Sequence, residues 1–217
     1  FINTDEDILS VITENGYFKI SGPDTHICSI RDWHNAATFF ETLDRKKKKS
    51  FKYEVRAFYN QFKFIKKTNP DESSVTRWYD MYLEVRKRNL DINTFALPEK
   101  FFSTILQNKC WEATVLVHNE SGSEVAVVFS YISGETYVPT VIGMDYAYLQ
   151  SHKIYKQTLF RLLERANQLG CKQVHMGFGA SMEKRKLNCK PVAACSLVQM
   201  VDTFSAEFIN NYSSITS

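Results

Sequence analysis

The sequence predicts a mixed α/β fold of the α+β kind: a mainly antiparallel sheet with helices on both faces, behind a partial or small first lobe. Three observations predict it. Apolar residues recur at helical spacing over 75–90 and 152–169, whereas from 111 the period falls to that of strands. Three such strands succeed one another across short polar turns, the pattern of an antiparallel meander. The long helix then separates the third strand from a fourth, a crossover of the kind that joins parallel strands.

The elements follow in order. Asp5-Glu6-Asp7 precedes Ile8, Leu9, Val11 and Ile12, a short helix with acids at its positive end, and Gly16 stops it. Tyr17–Ile20 and His26–Ile30 read as strands around the turn 21–24. Asp32 is placed to cap a helix carrying Trp33, Ala36, Ala37, Phe39, Phe40 and Leu43. The basic run Arg45–Lys49 opens an amphipathic helix with Phe51, Val55, Phe58, Tyr59 and Phe62 on its apolar face. The stretch 68–74 is the best linker in the chain, and it divides 1–67, a partial first lobe, from a main domain at 68–217. Helices follow over 75–90 and after Leu97-Pro98. The strands are 112–117, 125–132 and 136–144. The long helix ends at Gly170, 171–176 is a short strand, 182–187 a short basic helix, and 193–200 a last strand.

Composition bounds the function. The 217 residues suffice for one large domain or two small lobes, and a hydrophobic share of 44% with 14% aromatics is that of a soluble globular chain. A net charge of +3 is too small to indicate nucleic acid from bulk charge. The five cysteines are scattered, odd in number and without a CxxC pair, which points to a reducing compartment, the cytoplasm. No apolar run reaches the ~18 residues of a membrane span, and no signal peptide is visible. The chain opens at Phe1, as a processed form or a fragment does.

Helix, helix, three antiparallel strands, long helix, strand, short helix, strand: over 73–201 this order resembles the GNAT acyltransferase fold. The aromatic helix running into a cationic cluster, Phe39-Phe40-Glu41-Thr42-Leu43-Asp44-Arg45-Lys46-Lys47-Lys48-Lys49, resembles the end of the first lobe in FemAB-type proteins, which carry two such lobes in tandem. Gly177-Phe178-Gly179-Ala180-Ser181-Met182-Glu183-Lys184-Arg185-Lys186 resembles the matching segment of FemAB-like GNAT domains. The resemblance implies an N-acyltransferase that moves an acyl group from acyl-CoA, acetyl-CoA included, to an amine on a small molecule or peptide. Members that use acetyl-CoA carry an Arg/Gln-x-x-Gly-x-Gly/Ala loop before the long helix. The matching stretch Leu149–Lys156 has no glycine, and FemAB-type enzymes that take aminoacyl-tRNA are the other precedent.

On that resemblance the donor lies where the third strand and its crossover partner diverge, at Ile142, Gly143 and Met144. Ser151, Lys153 and Lys156 stand at the helix start, where backbone N–H groups attract phosphate. Gly143 admits close approach of a ligand, or else relieves strain where strand becomes loop. Asp145 is placed to take a proton from the amine, or else to cap. Glu183 or Lys186 would join it in the cleft, the alternative being a solvated basic helix, and Ser181 is the candidate cap of that helix. His175 is a base candidate or a structural strand histidine. Tyr131, Tyr137 and Tyr155 read first as packing residues, and Tyr155, early in the long helix, is otherwise a proton donor to a leaving thiolate. No histidines lie at i,i+4 and no Gly-x-Ser-x-Gly occurs, so neither a metal site nor a serine hydrolase is expected. The ten cations of 45–67, interleaved with aromatics, are a polyanion footprint or a solvated helix face. Three further readings stay open: a non-catalytic binding module, a tRNA-binding protein, and a homo-oligomer.

Overall fold

A computed structural model of the chain describes residues 6–31, 35–89 and 95–199. The chain divides into two compact units. The larger is His26–Lys190, and the smaller comprises the segments up to Thr25 and from Pro191 on. The expected boundary at 67/68 falls inside the larger unit, because Phe62–Lys67 there is a strand paired with Trp111–His118.

In the smaller unit, α1 (Glu6–Glu14) runs to Gly16, whose φ of +80° no residue with a Cβ adopts readily. The next strand, β1 (Tyr17–Ser21), pairs antiparallel with β9 (Cys195–Gln199). The two early strands thus flank the turn at 21–24 but take different partners: β2 (Thr25–Ser29) pairs with β7 (Gln173–His175).

In the larger unit β2 is followed by α2 (Ala36–Thr42). Its cap is Asn35, whose side chain accepts from the N–H groups of Ala37 and Thr38 while Thr38 returns the bond. The expected cap Asp32 and its neighbour Trp33 lie outside the described residues. Next, α3 (Arg45–Phe51) is capped by Asp44 and widens into one π turn at Lys52–Arg56. The helix expected to continue to Phe62 stops there, and 62–67 is instead β3 (Phe62–Lys67). The two-residue period is present: Phe62 is buried and Phe64 half-buried, with Lys63 between them and Ile65 after them exposed. The expected linker is only the turn from β3 into α4 (Glu72–Lys87), with Asp71 as its N-cap.

The remaining elements are α5 (Glu99–Ile105), β4 (Trp111–His118), β5 (Glu124–Ser133), β6 (Thr136–Met144), α6 (Ile154–Gln168), β7 and α7 (Ser181–Lys186). A strand absent from the sequence reading, β8 (Lys190–Val192), spans the boundary between the units. The sheet runs β3-β4-β5-β6-β7-β2, antiparallel except for the parallel pair β6–β7.

Helices cover both faces, as alternation along β5 requires. Val127 and Phe129 face α4 and α5, where they meet Trp78, Met81, Tyr82 and Phe102. Val128 faces the other side, packed with Phe160 and Leu163 of α6, Phe39 of α2 and Phe51 of α3. Among the described residues no helix is long and apolar enough to cross a membrane.

Candidate active site

The site begins as a defect in the sheet. β6 and β7 pair only at Thr136–Gln173 and Tyr137–Val174. Past Tyr137, β6 runs on to Met144 with β5 on one side and, among the described residues, no strand on the other. β7 is only three residues long and pairs with β2 along its other edge, from Gln173 opposite Ser29 to His175 opposite Ile27. The loop after it is held by hydrogen bonds from His26 N–H to Gly177 O (3.1 Å) and from Met176 N–H to His26 O (2.7 Å). The strands therefore part where β7 ends, and Ile142 of β6 packs in one cluster with Met176 and with Tyr155 of α6.

Gly143 sits on this strand, but its missing side chain is claimed by the opposite neighbour. A Cβ there would lie 2.8 Å from the Tyr82 backbone nitrogen and 2.9 Å from Met81 Cβ, so the glycine lets α4 close onto the sheet. Ile142 is half-buried and Met144 buried, in contact with the cluster that includes Tyr146 and Tyr155. Asp145 ends the strand. Its carboxylate accepts from Ala147 N–H (3.0 Å), and it opens onto a groove of about 520 Å³ between α4 (Arg77, Asp80, Glu84) and Met144, Asp145 and Tyr146.

The other wall is the start of α6. Lys153 takes a left-handed conformation (φ 53°), and no side chain caps the helix. Its ammonium donates to Gln150 (3.4 Å), and the Ser151 hydroxyl meets His152 Nδ1 (2.8 Å). Lys156 is buried and paired with two carboxylates, Glu54 of the π turn and Glu183 of α7 (2.7 Å). Lys186 lies 3.2 Å from Glu183 and 4.0 Å from Glu54, and Ser50 donates to Glu54 (2.7 Å). Burial raises the Glu183 carboxyl, but the hydrogen bonds from Lys156 and Lys186 outweigh it and hold the group below its ordinary range. Burial lowers Lys156 more than Glu183 restores it. The charge expected of Lys156 as a phosphate contact is thus balanced in place.

Tyr155 stands beside this cluster. Burial, then the charge of Glu183, pushes its hydroxyl far above the usual phenol range, so it stays protonated. His175 is half-buried, and burial together with the charge of Lys184 lowers its imidazole, favouring the neutral form. Lys184 is itself buried and donates to the carbonyls of Gly177 (3.1 Å) and Phe178, bracing the loop; burial lowers it to about 8. The cap of α7 is Ala180, at φ 44°, and not Ser181, whose hydroxyl instead meets His26 Nε2 (2.9 Å).

The structure thus joins three of the predicted site residues, Lys156, Glu183 and Lys186. Among the described residues no hydrogen bond or ion pair links Asp145 to Glu183 or to His175. Sequence reasoning missed Glu54, yet it is the sole acid among residues 45–67, and a lone acid in so cationic a run needs a partner. The same reasoning read Tyr155 first as packing, with proton donation to a leaving thiolate as its alternative. Among the described residues no group of three or more His, Cys, Asp or Glu side chains is placed to hold a metal.

A family model described as an acetyltransferase (GNAT) domain matches residues 44–185. The chain belongs to this GNAT family. No curated protein sequence matches it. Among solved structures, the GNAT chain is similar to L-PGS from Bacillus licheniformis (14% identity, TM-score 0.61, 94% of this chain and 68% of that one). It is also similar to FemX (8%, TM-score 0.62, 90% and 67%). A third is a GCN5-related N-acetyltransferase from Sphaerobacter thermophilus (11%, TM-score 0.54, 93% and 60%). The chain therefore spans roughly two thirds of the length of these proteins, and identities this low speak for the fold alone.

Proposed function

We propose that this chain is a FemAB-like N-acyltransferase, working in a reducing, cytoplasmic compartment, which transfers an acyl group from a thioester of the acyl-CoA type to an amine. The parting of β6 from β7 carries the reading. An unpaired strand edge offers backbone N–H and C=O groups to a pantetheine arm and to the thioester carbonyl. The donor lies along Ile142, Gly143 and Met144, with Ser151 and Lys153 toward its phosphates. The amine enters by the groove at Asp145.

Asp145 takes the ammonium proton. The free amine attacks the carbonyl carbon; the C–N bond forms, the C–S bond breaks, and the proton shed by the acylated nitrogen reaches the leaving thiolate through the Tyr155 hydroxyl, which gives one proton and regains another. Glu183, held ionised by Lys156 and Lys186, fixes the local charge and the start of α6 rather than moving a proton. His175, neutral and beside the loop, is the second candidate for the base. The five cysteines, all free thiols, agree with the compartment.

The test is thiol release from acetyl-CoA and longer acyl-CoAs in the presence of a panel of primary amines, alongside thermal shift. Asp145→Asn and Tyr155→Phe should each lower turnover by roughly 100-fold while leaving the melting temperature in place. If no donor is turned over and none shifts the melting point, the chain is a non-catalytic binding module. Full activity of both variants would remove these two side chains from the chemistry and leave His175.

A further inference from the structure

Pantetheine thioesters occur on two kinds of carrier. In coenzyme A the arm ends in a pyrophosphate and a nucleotide. In acyl carrier proteins it hangs by one phosphodiester from a serine of a small acidic protein. We propose that the acyl group reaches the gap between β6 and β7 on an acidic carrier protein, docked on the exposed basic face of α3 and the π turn. The proposal rests on the acyl-transfer reading above and names the carrier of its donor.

The first observation concerns the start of α6. A pyrophosphate needs backbone amides that it can approach closely and charge that is free to meet it. No glycine stands between Gly143 and Gly170. Lys153, whose ammonium donates to the neutral Gln150, keeps its charge for a single phosphate, whereas Lys156 is balanced by Glu54 and Glu183. This wall suits the arm better than the pyrophosphate and nucleotide behind it.

The second concerns the basic face. Arg45, Lys46, Lys49, Lys52 and Arg56 are exposed, and none of them forms an ion pair among the described residues. The Phe40 ring is flanked by Lys48 (5.2 Å), Lys52 (5.7 Å) and Arg56 (5.2 Å), an arrangement that gathers three cations around one apolar spot. Tyr53, 67% exposed, stands among them. A patch of one sign with an aromatic centre fits an acidic protein surface, which supplies both carboxylates and apolar contact.

The third observation links the two. The turns that carry this face outward also carry Ser50 and Glu54 inward, and both reach Lys156 at the gap. A protein seated on Lys49, Lys52 and Tyr53 is therefore one helix thickness from the site, and a flexible arm is what crosses such a distance. A polynucleotide fits the same charges but brings no arm to the gap.

The experiment compares a type II acyl carrier protein, in its apo, holo and acylated forms, with acyl-CoA of the same chain length. Binding of the carrier to the chain should weaken steeply with added salt. Changing Lys46, Lys49, Lys52 and Arg56 together to Gln should weaken it by at least about tenfold, and should lower the ratio of carrier-borne to CoA-borne turnover by a similar factor. Circular dichroism checks the fold of the variant. Turnover of acyl-CoA with no binding or turnover of the carrier overturns this inference and leaves the acyl-transfer reading intact. An unchanged ratio in the variant overturns it too, as does a variant that loses binding of a tRNA but not of the carrier. If neither donor is turned over, the acyl-transfer reading fails, and salt-sensitive carrier binding still decides whether the face is a carrier dock.

Discussion

Helix α6 carries an ion-pair network at each end, and the sheet beside it is closed at one end and open at the other. Near its C-terminus, Arg165 forks onto Glu112 with bonds of 3.0 and 2.7 Å, and the Tyr137 hydroxyl donates to the same carboxylate (2.9 Å). Tyr137 is also one of the two residues that pair β6 with β7. Near its N-terminus, Lys156 meets Glu54 and Glu183 where those strands have separated. At the closed end one planar guanidinium satisfies one carboxylate, and no backbone edge is left over. At the open end, flexible side chains from three elements share two acids and two lysines. There, among the described residues, no strand pairs with the β6 edge and no side chain bonds the Tyr155 hydroxyl. Buried charge fastens the sheet at one end and props it open at the other.

The sharpest way to break that contrast is to remove a cation from each end. Arg165→Met leaves the Glu112 carboxylate buried with the Tyr137 hydroxyl and, at 3.7 Å, the Lys66 ammonium as its partners. A loss of about 3–5 kcal/mol in urea unfolding is expected. Lys156→Met should cost less, roughly 1–3 kcal/mol, because Lys186 remains beside both acids. Equal costs at the two ends would mean that the open end is fastened as tightly as the closed one.

Gly143→Val tests the strand between them. The side chain would strike the α4 backbone at Tyr82 and the Met81 side chain, and overpacking of this kind costs about 1–3 kcal/mol. Activity should fall with stability, and a stabilising second substitution elsewhere should recover part of both. A variant as stable as the parent but inactive would mean that the missing side chain serves the donor and not the approach of α4.

How far the sequence reached follows from which forces are local. The meander, the long helix and its stop at Gly170 were legible because periodicity and turn chemistry are written in neighbouring residues; β6 matches its expected span of Thr136–Met144. The strand β3 was not, because Phe58, Tyr59 and Phe62 keep helical spacing across a place where the chain changes partner. Only the alternation from Phe62 to Ile65 records the sheet. Phe58, expected in the core, is merely half-buried against His152. The parting of β6 and β7 was anticipated only through the family resemblance, since no local pattern marks where two strands separate. The Lys156–Glu54–Glu183 cluster joins residues about 100 and 130 positions apart on three elements, and only the lone acid Glu54 hinted at it.

The smallest effect expected separates the two networks by pH. The Glu183 carboxyl is held below its ordinary range in the fold, so the folded state binds its proton more weakly than the unfolded chain does. Such a group contributes stability above its unfolded pKa of about 4.3 and loses that contribution as pH falls through the lower, folded value. Glu183→Gln should therefore destabilise at neutral pH by no more than about 1 kcal/mol, since the side chain is 29% exposed and its pairing is partly screened. In thermal melts from pH 7 downward, the gap between parent and variant should persist to about pH 4–5 and then close in acid. The Glu112 carboxyl is also lowered, against its own burial, by Arg165, so it titrates in the same acid limb and both proteins should weaken there together. The difference between them isolates Glu183. A gap that stays constant into acid would mean that its contribution is packing and not charge, and the open end of α6 would then owe its form to shape alone.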